Sequence, residues 1–206
     1  MGTAVQRKAD ILRVTVQLMD EGGEAAVRLR DVARLVGITQ PSLFYYFKNR
    51  EQLIVAAHCE RFRANLEATL KPFVARLSVA SSRDEFVRSL LSLYADSFPA
   101  ARTRARALRA EVVGLSFGRP TLRDEIARTT REMFAPAVEL LRGAQANGWI
   151  RQELDIDAFA YWNLATISSL IFTEQLADDE TLRAGHALML ENVELVVTGT
   201  VSRFSS

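Results

Sequence analysis

The sequence is poor in chain-breakers and almost free of cysteine. Its 206 residues hold ten glycines, five prolines and one cysteine, Cys59. Turn residues this sparse exclude an all-β sandwich or barrel, which needs a turn signal every ~8–12 residues. A single thiol excludes a disulfide framework and a cysteine-based zinc site, and it fits a reducing compartment. Only two histidines are present, His58 and His186, so a transition metal has few ligands to draw on. His58 and Cys59 are neighbours on a helix and face different ways. No charge of one sign dominates: the net charge is +1, which gives no global signal for nucleic acid. Long apolar runs are missing as well. The longest uncharged stretch, Ala158 to Thr173, is 16 residues and contains Asn163, Thr166, Ser168, Ser169 and Thr173. A membrane span needs about 20 apolar residues. Met1 to Ala9 carries Arg7 and Lys8 but no apolar signal-peptide core. These absences predict a cytoplasmic protein with no membrane partner. No Ser-His-Asp arrangement, glycine-rich phosphate loop or pair of catalytic carboxylates stands out, so no enzyme activity, cofactor or metal site is expected.

What is present is helical periodicity from end to end. Residues 5–21 read as a first helix, with Ile11, Leu12, Thr15, Leu18 and Met19 on one face, stopped by Gly22-Gly23. Short helices follow at 29–36 and 40–47, the second behind Thr39 as N-cap. Asn49 caps a long helix, with Gln52 in a capping-box-like position and the stripe Leu53, Ala57, Phe62, Leu66, Leu70, Phe73, Leu77. Pro72 is expected to kink it or end it early. Five further helices are predicted at about 84–98, 100–117, 121–147, 155–176 and 179–201. The fold class is all-α, about nine helices. Residues 1–48 make one domain of three short helices. Residues 49–206 make a larger one, with helix 49–77 connecting the two.

One segment carries chemistry. From Leu29 to Phe47 two short helices meet at Gly37-Ile38-Thr39. A helix-turn-helix crossing needs a small residue at the contact, a glycine in the turn and an apolar anchor in the second helix. Ala33, Gly37 and Leu43 fill those places, and Val32, Val36, Ile38 and Phe47 complete a small core. Gln40, Ser42, Tyr45 and Tyr46 then face outward. Residues 1–55 hold eight Lys/Arg against six Asp/Glu, a weak positive excess.

Residues 8–55 resemble the DNA-binding domain of the tetracycline-repressor (TetR) family of transcriptional regulators. The likeness rests on Ile11-Leu12, Gly22-Gly23, Arg30-Asp31-Val32-Ala33, Gly37-Ile38-Thr39, Pro41-Ser42-Leu43-Phe44-Tyr45-Tyr46-Phe47, Asn49-Arg50-Glu51 and Leu53. It covers about a quarter of the chain. The rest fits only in length and helical pattern, where the family has a divergent ligand-binding and dimerisation domain. The resemblance implies that Arg30 reaches a base edge, as an arginine fork can bond guanine O6 and N7 together. It implies base contacts from Gln40 and Pro41, and groove or phosphate contacts from Thr39, Ser42, Tyr45 and Tyr46. It also implies phosphate contacts from Lys48 and Arg50. Phe44 stands where the family usually has tyrosine and so lacks a phosphate-binding hydroxyl. Arg28 stands where threonine is common, which trades a helix cap for positive charge.

The C-terminal region offers further candidates. Helix 155–176 carries Phe159, Trp162, Asn163, Thr166, Ser169, Leu170 and Thr173. Apolar bulk with a few polar groups suits the lining of a small-molecule pocket, and equally a helix buried between core and dimer partner. The expected lining is Leu90, Leu93, Tyr94, Met133, Phe134 and Trp162, with Glu111, Asn163 and Thr166 as orienting groups. Glu111 interrupts an apolar stretch, and such a residue more often pairs with a nearby arginine than ligates an effector. The dense group Arg102, Arg104, Arg106 and Arg109 reads as a solvated helix face, with an anionic-ligand or phosphate site as the lesser alternative. The dimer interface is expected on the last two helices, through Ala160, Ala165, Ser168, Leu188, Met189, Val193, Val196 and Val197.

With the resemblance, these readings imply a dimeric regulator, most often a repressor, of double-stranded operator DNA. A small apolar or aromatic effector would tilt helix 49–77, change the spacing of the recognition helices and weaken DNA binding. The alternative is an all-helical small-molecule-binding protein or enzyme with an incidental helix-turn-helix.

Overall fold

The structure is a computed structural model, in which residues 3–199 are described. Among them are nine α-helices and no strand: α1 Ala4–Ala26, α2 Leu29–Val36, α3 Gln40–Tyr46, α4 Arg50–Leu77, α5 Arg83–Ala95, α6 Thr103–Ser116, α7 Pro120–Ala146, α8 Ile156–Leu176 and α9 Asp179–Thr198. A short 3₁₀ turn, Ala100–Arg102, precedes α6. No described helix is long and apolar enough to cross a membrane. Polar caps set many of the boundaries. Thr3, Thr39, Ser82, Asp155 and Asp178 each accept a backbone N–H from the first turn of the helix that follows.

One boundary expectation is met and one changes. The double glycine interrupts α1 as expected. Gly22 and Gly23 leave helical geometry, and one more turn follows to Ala26. Gly23 has φ 66° and ψ −170°, a region essentially reserved for glycine. Pro72 neither ends nor visibly interrupts α4, which runs through it to Leu77. The residue is exposed, so the carbonyl freed four positions back can find water.

The chain divides into two compact units, and the division falls inside α4, α6 and α7. The first takes the residues up to Ala64 together with Val112–Thr130; the second takes Asn65–Glu111 and the residues from Arg131 onward. A domain boundary at residue 48 leaves out the part of α4 and the α6–α7 segment that the first unit includes. The core of the first unit joins Ile11, Val14 and Met19 of α1 to Val32 and Ala33 of α2, Leu43 of α3, Phe47, and Leu53, Ile54 and Ala57 of α4. With eight and seven residues, α2 and α3 are too short to persist alone. In the second unit α5 packs on α9, with Phe86, Leu90, Tyr94, Leu141, Phe159, Leu170, Val193 and Val197 buried.

Candidate nucleic-acid interface and effector cavity

In the first unit, the turn between α2 and α3 is built by one glycine and one threonine. Gly37 takes the left-handed conformation, φ 72° and ψ 36°, which lets the Ile38 N–H reach the Ala33 carbonyl at 2.9 Å. Thr39 then starts α3. Its Oγ1 accepts the Ser42 N–H at 3.3 Å and lies 2.9 Å from the Ser42 hydroxyl. Pro41 occupies the first turn, where a missing N–H costs nothing. Leu43 and Phe47 are buried and anchor α3.

Around that anchor Arg28, Arg30, Thr39, Gln40, Pro41, Ser42, Phe44, Tyr45 and Lys48 are exposed, while Tyr46 is half-buried. Tyr45 retains 82% of its surface and stands edge-on to Tyr46, ring centres 5.2 Å apart. An exposed aromatic pair beside hydroxyl, amide and guanidinium groups is the mixture that grips phosphates and reads base edges. Arg28 makes no side-chain cap bond to α2, so its charge is not tied to that helix end.

Arg50 differs from the expectation of a phosphate contact. Its Nε donates to the Val27 carbonyl at 2.8 Å, and its Nη2 donates to the Glu24 carbonyl. The guanidinium closes the end of α1, bonding the Val27 carbonyl and adding a second donor to the Glu24 carbonyl, which already accepts the Val27 N–H. Asn49 caps α4 by accepting the Gln52 N–H at 2.8 Å, and the Gln52 side chain reaches back to the Lys48 N–H at 2.7 Å.

An ion cluster that sequence reading missed holds the same unit together. Arg119, just before α7, donates both Nη groups to Glu24, at 2.5 and 2.7 Å, and its Nε lies 3.0 Å from Glu51. The buried His58 ring is 2.8 Å from Glu24 through Nε2. Paired with Arg119 and His58, the Glu24 carboxyl is held down to about 2. Burial pushes the neighbouring Cys59 thiol up to about 11, which makes it a poor nucleophile. Among the described residues no group of three or more His, Cys, Asp or Glu could hold a metal ion.

The second unit contains a cavity of about 100 Å³. Its lining comes from α4 (Leu66, Thr69, Leu70, Phe73), α5 (Leu93, Tyr94), Ser97, α6 (Arg109), α7 (Phe134, Ala137, Leu141) and α8 (Ala160, Asn163, Leu164, Ile167). Of the expected lining residues, the structure places Leu93, Tyr94, Phe134 and Asn163 here. Leu90 is buried in the core instead, Met133 and Thr166 are half-buried outside the lining, and Glu111 and Trp162 are exposed. The α4 residues went unassigned because Leu66, Leu70 and Phe73 read equally as an ordinary apolar stripe.

The arginine group is corrected in part, since Arg102 and Arg104 are exposed but the other two are not. Arg106 is 1% exposed and Arg109 4%. Arg106 donates to Thr103, to the Ser97 carbonyl and to Glu174, and its pairing with Glu174 is an ion pair. Arg109 donates to Asn65 Oδ1 at 2.6 Å and to Thr69 Oγ1 at 3.5 Å.

The dimer candidates are sorted as sharply. Ala160, Val193 and Val197 are buried within the unit, so they are not available to a partner. Ala165 and Leu188 are exposed; Ser168, Met189 and Val196 are half-buried.

An exposed α3 set on a glycine turn, ahead of a helical unit with a cavity, defines a helix-turn-helix DNA-binding regulator. Residues 11–57 match the family of bacterial regulatory proteins, tetR family. The whole fold is that of solved regulators of this type. A proposed TetR-family transcriptional regulator from Rhodococcus sp. superposes with a TM-score of 0.64 at 22% identity, covering 94% of this chain and 99% of that one. A proposed transcriptional regulator of Streptomyces coelicolor A3(2) gives 0.63 at 26% identity, with the same coverage. A third, from Saccharomonospora viridis and solved in complex with choline, gives 0.57 at 19% identity, covering 93% of this chain and 96% of that one. No curated protein matches the chain in sequence.

Proposed function

We propose that this DNA-binding regulator is a cytoplasmic repressor that grips a two-fold operator as a homodimer and is released by a small molecule filling the α4–α8 cavity. It carries out no catalysis. The observation that carries the reading is the exposed surface of α3, with Arg30 and Lys48 beside it, on a buried Leu43–Phe47 anchor. Two such helices on a two-fold axis read half-sites one helical turn of DNA apart or a multiple of it. The effector must bind the DNA-incompetent state better than the competent one. A hundredfold loss of operator affinity requires about 2.7 kcal/mol of that preference. Residues of α4 belong to both units, which supports a change in the tilt of that helix as the transmitting step.

Choline, bound by the Saccharomonospora protein, is a poor guide to the effector. A quaternary ammonium is disfavoured beside the buried Arg109 cation.

Gel-shift titration on DNA upstream of the gene tests the reading. Arg30→Ala is expected to cost ~1–3 kcal/mol on the specific site and to relax preference at one base pair. Lys48→Ala is expected to weaken every DNA alike and lower the salt slope by about one. No shift on any upstream fragment would refute the repressor.

A further inference from the structure

Resting on that reading of the cavity as the effector site, we infer that the effector is an amphipathic monocarboxylate, with Arg109 as the residue that selects its acid group. Three polar atoms without a hydrogen-bond partner belong to residues lining the cavity: Tyr94 Oη, Arg109 Nε and Asn163 Oδ1. Tyr94 and Arg109 are both more than nine-tenths buried. A buried donor left unpaired costs free energy, and a buried cation without a counterion costs more. Both of Arg109's hydrogen-bond partners, Asn65 and Thr69, are neutral. Burial and the nearby Arg106 and Arg102 lower its pKa to about 10, which leaves it protonated at neutral pH.

The surroundings give the site a direction. A second cavity of about 110 Å³ shares Thr69, Leu93, Ser97, Arg109 and Ile167 with the first, and Arg76, Asp96, Arg102 and Arg106 also line it. Asp96 pairs with Arg76 at 2.6 Å, and Glu174 pairs with Arg106. Among the described residues Arg102 and Arg109 have no carboxylate partner; Arg102 is exposed to water, so the uncompensated buried charge at this end is that of Arg109. The opposite end is hydrocarbon, walled by Leu66, Leu70, Phe73, Phe134 and Leu141. A ligand that satisfies both ends has an aliphatic or aryl body and one anionic head. A carboxylate suits the planar guanidinium, whose Nε can join a forked bond, and the Tyr94 hydroxyl offers a second donor. The Asn163 amide, whichever end it presents, completes the polar rim.

The test uses the full chain and matched pairs in isothermal titration: octanoate against octanamide, 3-phenylpropanoate against 3-phenylpropanamide, and choline as a cation. At least one acid is expected to bind about tenfold or more tighter than its amide, roughly the value of one charge-assisted bond, and choline is expected not to bind. In Arg109→Gln the acid-to-amide ratio falls to about one. Arg109→Lys keeps the charge and retains part of it. Tyr94→Phe weakens the acid several-fold with the preference preserved. Should Arg109→Gln fail to fold, the wild-type ratio and Arg109→Lys decide. Equal binding of acid and amide, survival of the preference in Arg109→Gln, or no binding of any acid overturns the inference. The upstream-DNA gel shift, run on the same preparation without ligand, separates the two readings. DNA binding with no acid preference overturns only the carboxylate, whereas acid binding with no DNA shift overturns only the repressor.

Discussion

Arg119 shows how much one side chain decides in a small helical unit. It meets Glu24 from 95 positions away and engages it through both Nη groups. Glu24 is a quarter exposed, so the ion pair is partly screened, yet its pKa falls from 4.5 to about 2. The sign of the pH effect follows. A carboxyl whose folded pKa is depressed stabilises the fold fully above its unfolded value and loses that contribution as pH falls from about 4.5 toward 2. Discounted for screening, the share is ~1–2 kcal/mol. Glu24→Gln should therefore be less stable than wild type at pH 7, with the gap closing below pH ~4. Urea midpoints measured from pH 7 to pH 3 check this; a gap that stays constant would show that Glu24 acts through packing alone. None of this was legible in the sequence, because a pair so far apart leaves no local period. Arg50's bonds to the Val27 and Glu24 carbonyls were hidden for a related reason, since only the folded chain brings them within its reach.

At the scale of elements the sequence is far more legible. The start of α2 and its end at Gly37, and the start of α3 after Thr39, follow from residues within a few positions, since caps and left-handed turns are local chemistry. The break at Gly22-Gly23 is local chemistry of the same kind, with one turn resuming behind it, whereas α4 passes Pro72 against its local breaker because that residue is exposed to water. The α1 break makes a paired prediction. An alanine at Gly23 must adopt φ near 66° with extended ψ, at a cost of ~1–3 kcal/mol. An added Cβ there meets no clash, so the loss is conformational. Gly143 lies inside α7, and nothing within 4 Å would meet a Cβ there. Gly143→Ala is accordingly expected to raise stability by ~0.5–1 kcal/mol. Thermal melts of the two variants should move in opposite directions. Movement in the same direction would mean that the break at Gly23 is not held in solution.

The whole molecule adds the question of what covers α8 and α9. The wide apolar surface of α9 was visible in its sequence, but which part of it the monomer keeps was not, since both faces are apolar. The structure divides them. Val193 and Val197 are four apart and buried, whereas Leu188 and Leu195 are seven apart and exposed. On α8, Tyr161, Ala165, Ser168, Phe172 and Leu176 follow one another at intervals of four, three, four and four, the spacing of one helix face. Phe172 keeps 64% of its surface and Leu176 84%. Apolar residues so exposed in register on two successive helices mark an interaction surface. A two-fold axis makes such a surface self-complementary, which suits the proposed homodimer. Phe172→Glu and Leu188→Glu should therefore sediment as monomers at micromolar concentration while melting close to wild type, because neither side chain belongs to the folded core. Val193→Glu should instead unfold the C-terminal unit, as it places a charge at a fully buried site. Operator affinity should fall with dimerisation, and binding to a single half-site should persist. A wild-type chain that is itself monomeric at micromolar concentration, or a Leu188→Glu variant that remains dimeric with full operator affinity, would remove α8 and α9 from the interface.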